Sequence, residues 1–266
     1  MSPKFSLYFY LFNAEKYFPD FRETIDNFLS FADEVVCSTI PSEDNTLEHL
    51  KAISSKNPSF KVIESDISLK DNRFDGKLKT VALEATTNPI KIIADADERF
   101  PLSTKSTWQS YANLLVQQRF DGFLIPVIDV YGEISKVRRN HRIGQKFRMH
   151  KDTIKSRGVI PQAELGNGLF RTDQSDSTEP LNAYGQLGSF PSIVDDFELL
   201  PENTYILKKY PYVVHYGYLD LEKRVKINGE FWDEKWSDRS GKKENVVTDI
   251  EVLKREPLIP HNLPLI

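Results

Sequence analysis

The chain has 266 residues and a formal net charge of −4, from 35 lysines and arginines against 39 aspartates and glutamates. Its 39% hydrophobic and 12% aromatic content excludes a disordered polymer and is ample for a sizeable core. The near balance of charge gives no global attraction for nucleic acid or anionic lipid. The single cysteine, Cys37, excludes an intrachain disulfide and a cysteine-rich zinc site, which fits a reducing, cytoplasmic compartment.

Residues 5–12 (FSLYFYLF) are apolar. They are too short for a signal-peptide core with normal flanks and far short of the ~20 residues that span a bilayer. They read as a buried first strand, in a protein with no transmembrane segment. Residues 19–31 place Phe21, Ile25, Phe28 and Leu29 at helical spacing. Residues 34–40 (EVVCSTI) read as a second strand. After Pro41, the polar run SEDNT forms a loop in which Asp44 or Asn45 caps a helix through Ile53. Residues 60–64 read as a third strand, 77–85 as a helix and 90–94 (IKIIA) as a fourth strand. This β-α-β-α-β-α-β order predicts a largely parallel sheet with helices on both faces.

Beyond Phe100, residues 108–118 read as a helix and 122–130 as a strand, with Gly132 turning toward another strand. Glycine, proline, serine and aspartate are frequent from 157 to 201, so loops should dominate there. A strand at 212–216 and a helix from Leu219 follow, with Trp232 and Trp236 expected beneath that helix. The last ten residues contain three prolines and read as extended. There is no repeat, low-complexity tract or linker, so one domain is expected.

The most informative segment is Asp95-Ala96-Asp97-Glu98, directly after the apolar fourth strand. Ligands of open α/β sheets bind at the carboxyl ends of strands. Two carboxylates two residues apart at such an edge suit a hard cation whose shell is completed by phosphates and water. That cation would neutralise a diphosphate leaving group. The plainer alternative is a helix start, because acids are common in a first helical turn.

With these segments in order, the sequence resembles glycosyltransferases of the GT-A fold, especially the small family 2 enzymes that extend surface glycans. Phe12-Asn13-Ala14-Glu15 resembles the N-E-x element ending the first strand. Asp33-Glu34-Val35-Val36 followed by Ser42-Glu43-Asp44-Asn45-Thr46 resembles D-E-hydrophobic-hydrophobic, then G-S-x-D-x-T. Asp95-Ala96-Asp97-Glu98 resembles D-x-D-E. The second half matches through 146–164 and 215–226. Pro41 stands where the family has glycine, and Thr39 where an acid often contacts the base, which leaves the donor's base open.

The resemblance implies a Rossmann-like α/β/α sandwich around a mainly parallel mixed sheet, in a single domain over 1–266. Residues 1–110 would form the nucleotide-sugar half, 111–235 the acceptor half and 236–266 an extended tail. It implies a metal-dependent, inverting transfer from a nucleotide-diphosphate sugar to a hydroxyl, the acceptor being a glycan. The cofactor would be Mn2+ or Mg2+. Asp95 would contact ribose or metal, and Asp97 would ligate the metal. Asn13, Ser42 and Asp44 would line the nucleotide, although SEDNT is also an ordinary turn with a helix cap.

Lys77, in Asp75-Gly76-Lys77, would add a compact positive charge near the diphosphate, or be a solvated helix terminus. His215, in YVVHYGY, would complete the metal shell; an imidazole among carboxylates suits manganese better than magnesium. Its plainer role is a packed, hydrogen-bonded residue. Lys223, Arg224 and Lys226 would meet phosphate oxygens. Glu164 would be the base that takes the acceptor's proton, with Asp195 and Asp196 as rivals. Residues 136–148 hold six basic residues in thirteen, read as a solvated hairpin or loop, or as a contact for an anionic acceptor or the diphosphate.

Other classes fit less well. A haloacid-dehalogenase-type phosphatase carries its nucleophilic aspartate on the first strand. A sugar nucleotidyltransferase needs a glycine-rich loop where this chain has Asn13-Ala14-Glu15-Lys16. The remaining alternatives are the same fold acting on a hydroxymethylated nucleobase in DNA, or an inactive sugar-nucleotide-binding module.

Overall fold

Aromatic residues on alternate faces of the first strand organise the molecule. The computed structural model describes residues 2–18, 20–70, 74–117, 122–138, 144–151, 159–161, 169–171, 211–227, 229, 250–254 and 258–260. Strand β1 (Phe5–Tyr10) turns Phe5, Leu7 and Phe9 to one side and Tyr8 to the other. The first side meets helix α2 (Phe21–Phe31), whose Phe21, Ile25 and Phe28 recur at helical spacing. A separate short helix, α1 (Ala14–Tyr17), precedes it; the residue pattern alone does not separate it from the connecting loop.

Strand β2 (Glu34–Thr39), helix α3 (Thr46–Lys56), strand β3 (Phe60–Glu64), helix α4 (Phe74–Glu84) and strand β4 (Ile90–Ile93) follow in the expected order. Helix α3 adds Leu50 to the core on the α2 side, together with Phe100 and Trp108. Helix α4 covers the opposite side, where Ala82 and Leu83 pack on Tyr8, Val36 and Ile93. The fold is therefore the expected α/β arrangement with helices on both faces.

Strands β3, β2, β1 and β4 are adjacent and parallel. The chain runs outward from β1 through β2 to β3, then returns to β1's other side as β4. That reversal opens a crevice at the carboxyl ends of β1 and β4, where α/β folds bind ligands.

The sheet then becomes mixed. The acidic turn leads into a two-residue strand, β5 (Glu98–Arg99), and not into a helix. Helix α5 (Lys105–Val116), β6 (Gly122–Tyr131), β7 (Glu133–Arg138), β8 (Gly144–Lys151) and a β9–β10 hairpin (Val159–Pro161, Leu169–Arg171) come next. Gly132 makes the β6–β7 turn with φ +69°, a left-handed conformation that favours glycine. Strand β8 inserts antiparallel between β4 and β6. Strand β11 (Val213–Tyr218) pairs in parallel with β6 and antiparallel with β5.

Helix α6 (Leu221–Ile227) follows β11, as expected from the sequence. Within the segment expected to be an extended tail, α7 (Ile250–Lys254) is helical, its IEVLK run preceding Pro257, and β12 (Leu258–Pro260) pairs with β7. Trp232 and Trp236 lie outside the described residues. No described helix is long and apolar enough to cross a membrane.

Candidate functional site

The acidic turn after β4 divides its carboxylates between two settings. Asp95 faces two buried cations. Lys79 Nζ, from α4, lies 2.5 Å from its Oδ1, and Arg148 Nη2, from β8, lies 2.7 Å from its Oδ2. Glu98 is fully buried and binds the same Arg148 Nη2 at 2.5 Å. The turn is closed by the Asp95 amide donating to Glu98 Oε2 and the Glu98 amide donating to the Asp95 carbonyl. Burial opposes the charge on Arg148, but Glu98 and Asp95 outweigh it and hold the guanidinium firmly protonated. A buried arginine is tolerable only when paired in this way.

Asp97 looks elsewhere. Its Oδ2 lies 3.1 Å from Nε2 of His215 on β11, and His215 Nδ1 lies 2.6 Å from Oδ1 of Asp129 on β6. Burial works against a charge on His215, but Asp97 and Asp129 prevail and push its pKa up to about 10. Burial likewise opposes ionisation of Asp97, yet the His215 contact keeps its carboxyl below the usual range. The group is thus an imidazolium bridging two carboxylates. The register of β11 shifts just after His215, and a Cβ built on Gly217 would fall 2.5 Å from His215 Nε2 and 2.7 Å from Asp97 Oδ2. Only glycine leaves that space open.

A crevice beside Asp97 is lined by Tyr17, Asp20, Arg99, Gly217, Lys223 and Arg224, among others. Partial burial lowers the Lys223 pKa, although Asp20, Asp220 and Asp97 act in the opposite sense. The guanidinium carbon of Arg224 sits 4.7 Å from the Tyr218 ring centre, and its buried Nε has no hydrogen-bond partner among the described residues. Lys226, on the same helix, is exposed.

The residues expected at the nucleotide fasten the loops at this edge. The Asn13 amide donates to Ser42 Oγ at 3.1 Å, and the Glu43 amide donates to Asn13 Oδ1 at 2.7 Å. Asn13 adopts a left-handed backbone (φ 47°), which asparagine tolerates better than most residues. Asp44 Oδ1 accepts from the Thr46 amide at the start of α3, so the cap function falls to Asp44. Lys77 is exposed on α4, whereas Lys79 is the lysine of that helix that reaches Asp95. Glu164, Asp195 and Asp196 lie outside the described residues.

Four residues of this cluster do not stand out in the sequence: Lys79, Asp129, Arg148 and Gly217. Lys79 occupies a buried position beside Leu78 and Ala82, an unusual place for a lysine. Asp129 interrupts an otherwise apolar β6. Arg148 ends the basic run read as solvated, yet it is 3% exposed because β8 carries it against the acidic turn.

Among the described residues, no three histidine, cysteine, aspartate or glutamate side chains converge as a ready-made cation shell. The donor set nevertheless fits a divalent ion in one respect. Asp97 offers a hard oxygen, and His215 would offer Nε2 once an ion displaced its proton, with Nδ1 held by a carboxylate as is usual for a metal-binding imidazole.

No family model matches the sequence, and no curated protein matches it. Among solved structures, S. aureus TarS aligns with a TM-score of 0.50 and 19% identity, over 85% of this chain and 38% of that one. The chain therefore spans well under half of that relative's length. TarS 1-349 in complex with UDP-GlcNAc aligns at 0.45 and 18%, over 93% and 77% of the two chains. The mannosyltransferase PcManGT from Pyrobaculum calidifontis, in complex with GDP-Man and Mn2+, aligns at 0.48 and 15%, over 96% and 69%. The likeness shows the fold, which is the GT-A fold expected from the sequence.

Proposed function

We propose that this GT-A chain is a glycosyltransferase that moves a sugar from a nucleoside-diphosphate donor to an acceptor hydroxyl. The observation that carries the reading is Asp97, which lines the crevice near the reversal of parallel strand order and is joined to His215 and, through it, to Asp129. A carboxylate backed by a histidine, with two helix cations at the same opening, suits a phosphorylated leaving group.

Asp97 and His215 would hold a divalent ion, with donor phosphates and water supplying the remaining ligands; the nitrogen favours Mn2+ over Mg2+. The bound ion would neutralise charge on the departing diphosphate. Lys223 and the unpartnered Nε of Arg224 would face that diphosphate from α6, with Lys226 an outer contact. Asp95 is compensated by Lys79 and Arg148, so it acts as a fixed acceptor for donor hydroxyls and not as the principal cation ligand. Asn13, Ser42 and Asp44 shape the nucleotide wall; Lys77 contributes at most long-range charge.

The transfer is a single inverting displacement. Glu164 removes the proton of the acceptor hydroxyl while that oxygen attacks the anomeric carbon, and the bond to the nucleoside diphosphate breaks on the opposite face. The acceptor is a glycan hydroxyl, and the setting is the cytoplasm. The test is a screen of UDP-, GDP-, CMP- and dTDP-sugars for release of nucleotide, with and without Mn2+, beside thermal stabilisation. A donor at 100 times its Kd should add about 2.7 kcal/mol of stability. Binding without release, with every acceptor class tried, would instead indicate a sugar-nucleotide-binding module.

A further inference from the structure

Asp129 occupies a position that its strand would ordinarily give to an apolar residue. Strands β6 and β11 run parallel, in register Val127 to Val213, Ile128 to Val214 and Asp129 to His215. Val127 and Val213 belong to the main core, and Ile128 with Val214 to the cluster on the opposite face. The alternation returns Asp129 and His215 to the face of the main core. A carboxylate there is 9% exposed, and its desolvation is offset by the short contact to His215.

What the carboxylate provides is direction. Imidazole has two nitrogens, and the one that carries a proton is set by the partner of the other. Asp129 accepts from Nδ1, which leaves Nε2, the nitrogen that meets Asp97 beside the space left by Gly217, as the one that could exchange its proton for a cation. Parallel pairing sets both Cα atoms side by side, and the Nδ1 bond to Asp129 then holds the ring with Nε2 toward Asp97.

We infer that Asp129 is a positioning residue, which orients His215 so that Nε2 is presented with Asp97 to a divalent cation. The inference rests on the metal-site reading proposed above.

The test uses the full chain and Co2+ alone, a spectroscopic substitute for Mn2+. Visible absorption reads affinity, and proton NMR reads the exchangeable Nδ1–H of the ligated imidazole. Asp129→Asn keeps the shape of the side chain and should weaken Co2+ binding by about 10–100-fold, with the Nδ1–H signal lost or exchange-broadened. Asp129→Glu, which keeps the charge, should recover part of the affinity. If Asp129→Asn binds Co2+ as the parent does and keeps the signal, the positioning role is overturned while the metal site stands. That role is overturned equally if Asp129→Asn lowers only the melting temperature. If Co2+ binding by the parent is unaffected by His215→Ala, the metal site itself is wrong, and Asp129 loses the role with it.

Discussion

Lys79 Nζ lies 2.5 Å from Asp95 Oδ1, with the lysine side chain 3% exposed. Arg148 holds the other oxygen of the same carboxylate, and also Glu98. The two aspartates of the acidic turn therefore differ in kind: one belongs to a buried ion network, the other to the histidine.

Removing Arg148 should take from the buried Glu98 and from Asp95 the guanidinium that both carboxylates bind. Arg148→Met is expected to destabilise the fold by about 3–5 kcal/mol in urea titrations. Adding Glu98→Gln should restore part of that loss. Strict additivity of the two changes would contradict the coupling.

Glu34 gives the stability a pH dependence. Burial opposes its ionisation, but Lys61, Ser6 and Thr87 prevail and draw its pKa down to about 2. A depressed carboxylate contributes stability that is fully present above its unfolded value, near 4.5, and lost as pH falls toward 2. Water screening at the partly exposed Lys61 reduces the contribution to on the order of 1–2 kcal/mol. Glu34→Gln should be less stable at neutral pH and flatten the decline between pH 5 and 2, followed by chemical denaturation. An unchanged profile would mean that Glu34 does not set the acid sensitivity.

Gly217→Ala places a methyl between His215 Nε2 and Asp97 Oδ2. Forcing them apart should cost about 1–3 kcal/mol of stability. Donor turnover should fall far more than the fraction of folded protein does. Circular dichroism beside a nucleotide-release assay separates the two; equal losses would mean that the space serves packing only.

Glu164→Gln should lower kcat by about 10²–10⁴-fold with little change in donor affinity. Asp195→Asn and Asp196→Asn are the controls. If one of these cripples turnover and Glu164→Gln does not, the base is misassigned, and retained anomeric configuration in the product would exclude inversion.

The parallel half of the sheet is legible in the sequence because its signals are local: apolar runs of strand length, helical spacing in 21–31, and acids after the fourth strand. Asp97 and His215 are legible for the same reason, each ending or following an apolar run. Their partners are not. Asp129, Arg148 and Lys79 acquire meaning only through strand pairing and helix docking that join residues far apart in sequence. Lys77 stands out in place of Lys79 because adjacency to Gly76 marks a helix start, whereas burial of a lysine two residues later depends on what α4 packs against. The short helix α1 escapes because four residues carry no period.

In the proposed reaction Asp97 acts on a phosphorylated donor through its charge. The most direct measurement is nucleotide release from the donor that best stabilises the parent protein, comparing parent and Asp97→Asn with Mn2+ and with excess EDTA. The variant should melt as a folded protein yet release no nucleotide above background, and EDTA should silence the parent. Full release by Asp97→Asn, or by the parent in EDTA, would contradict this role.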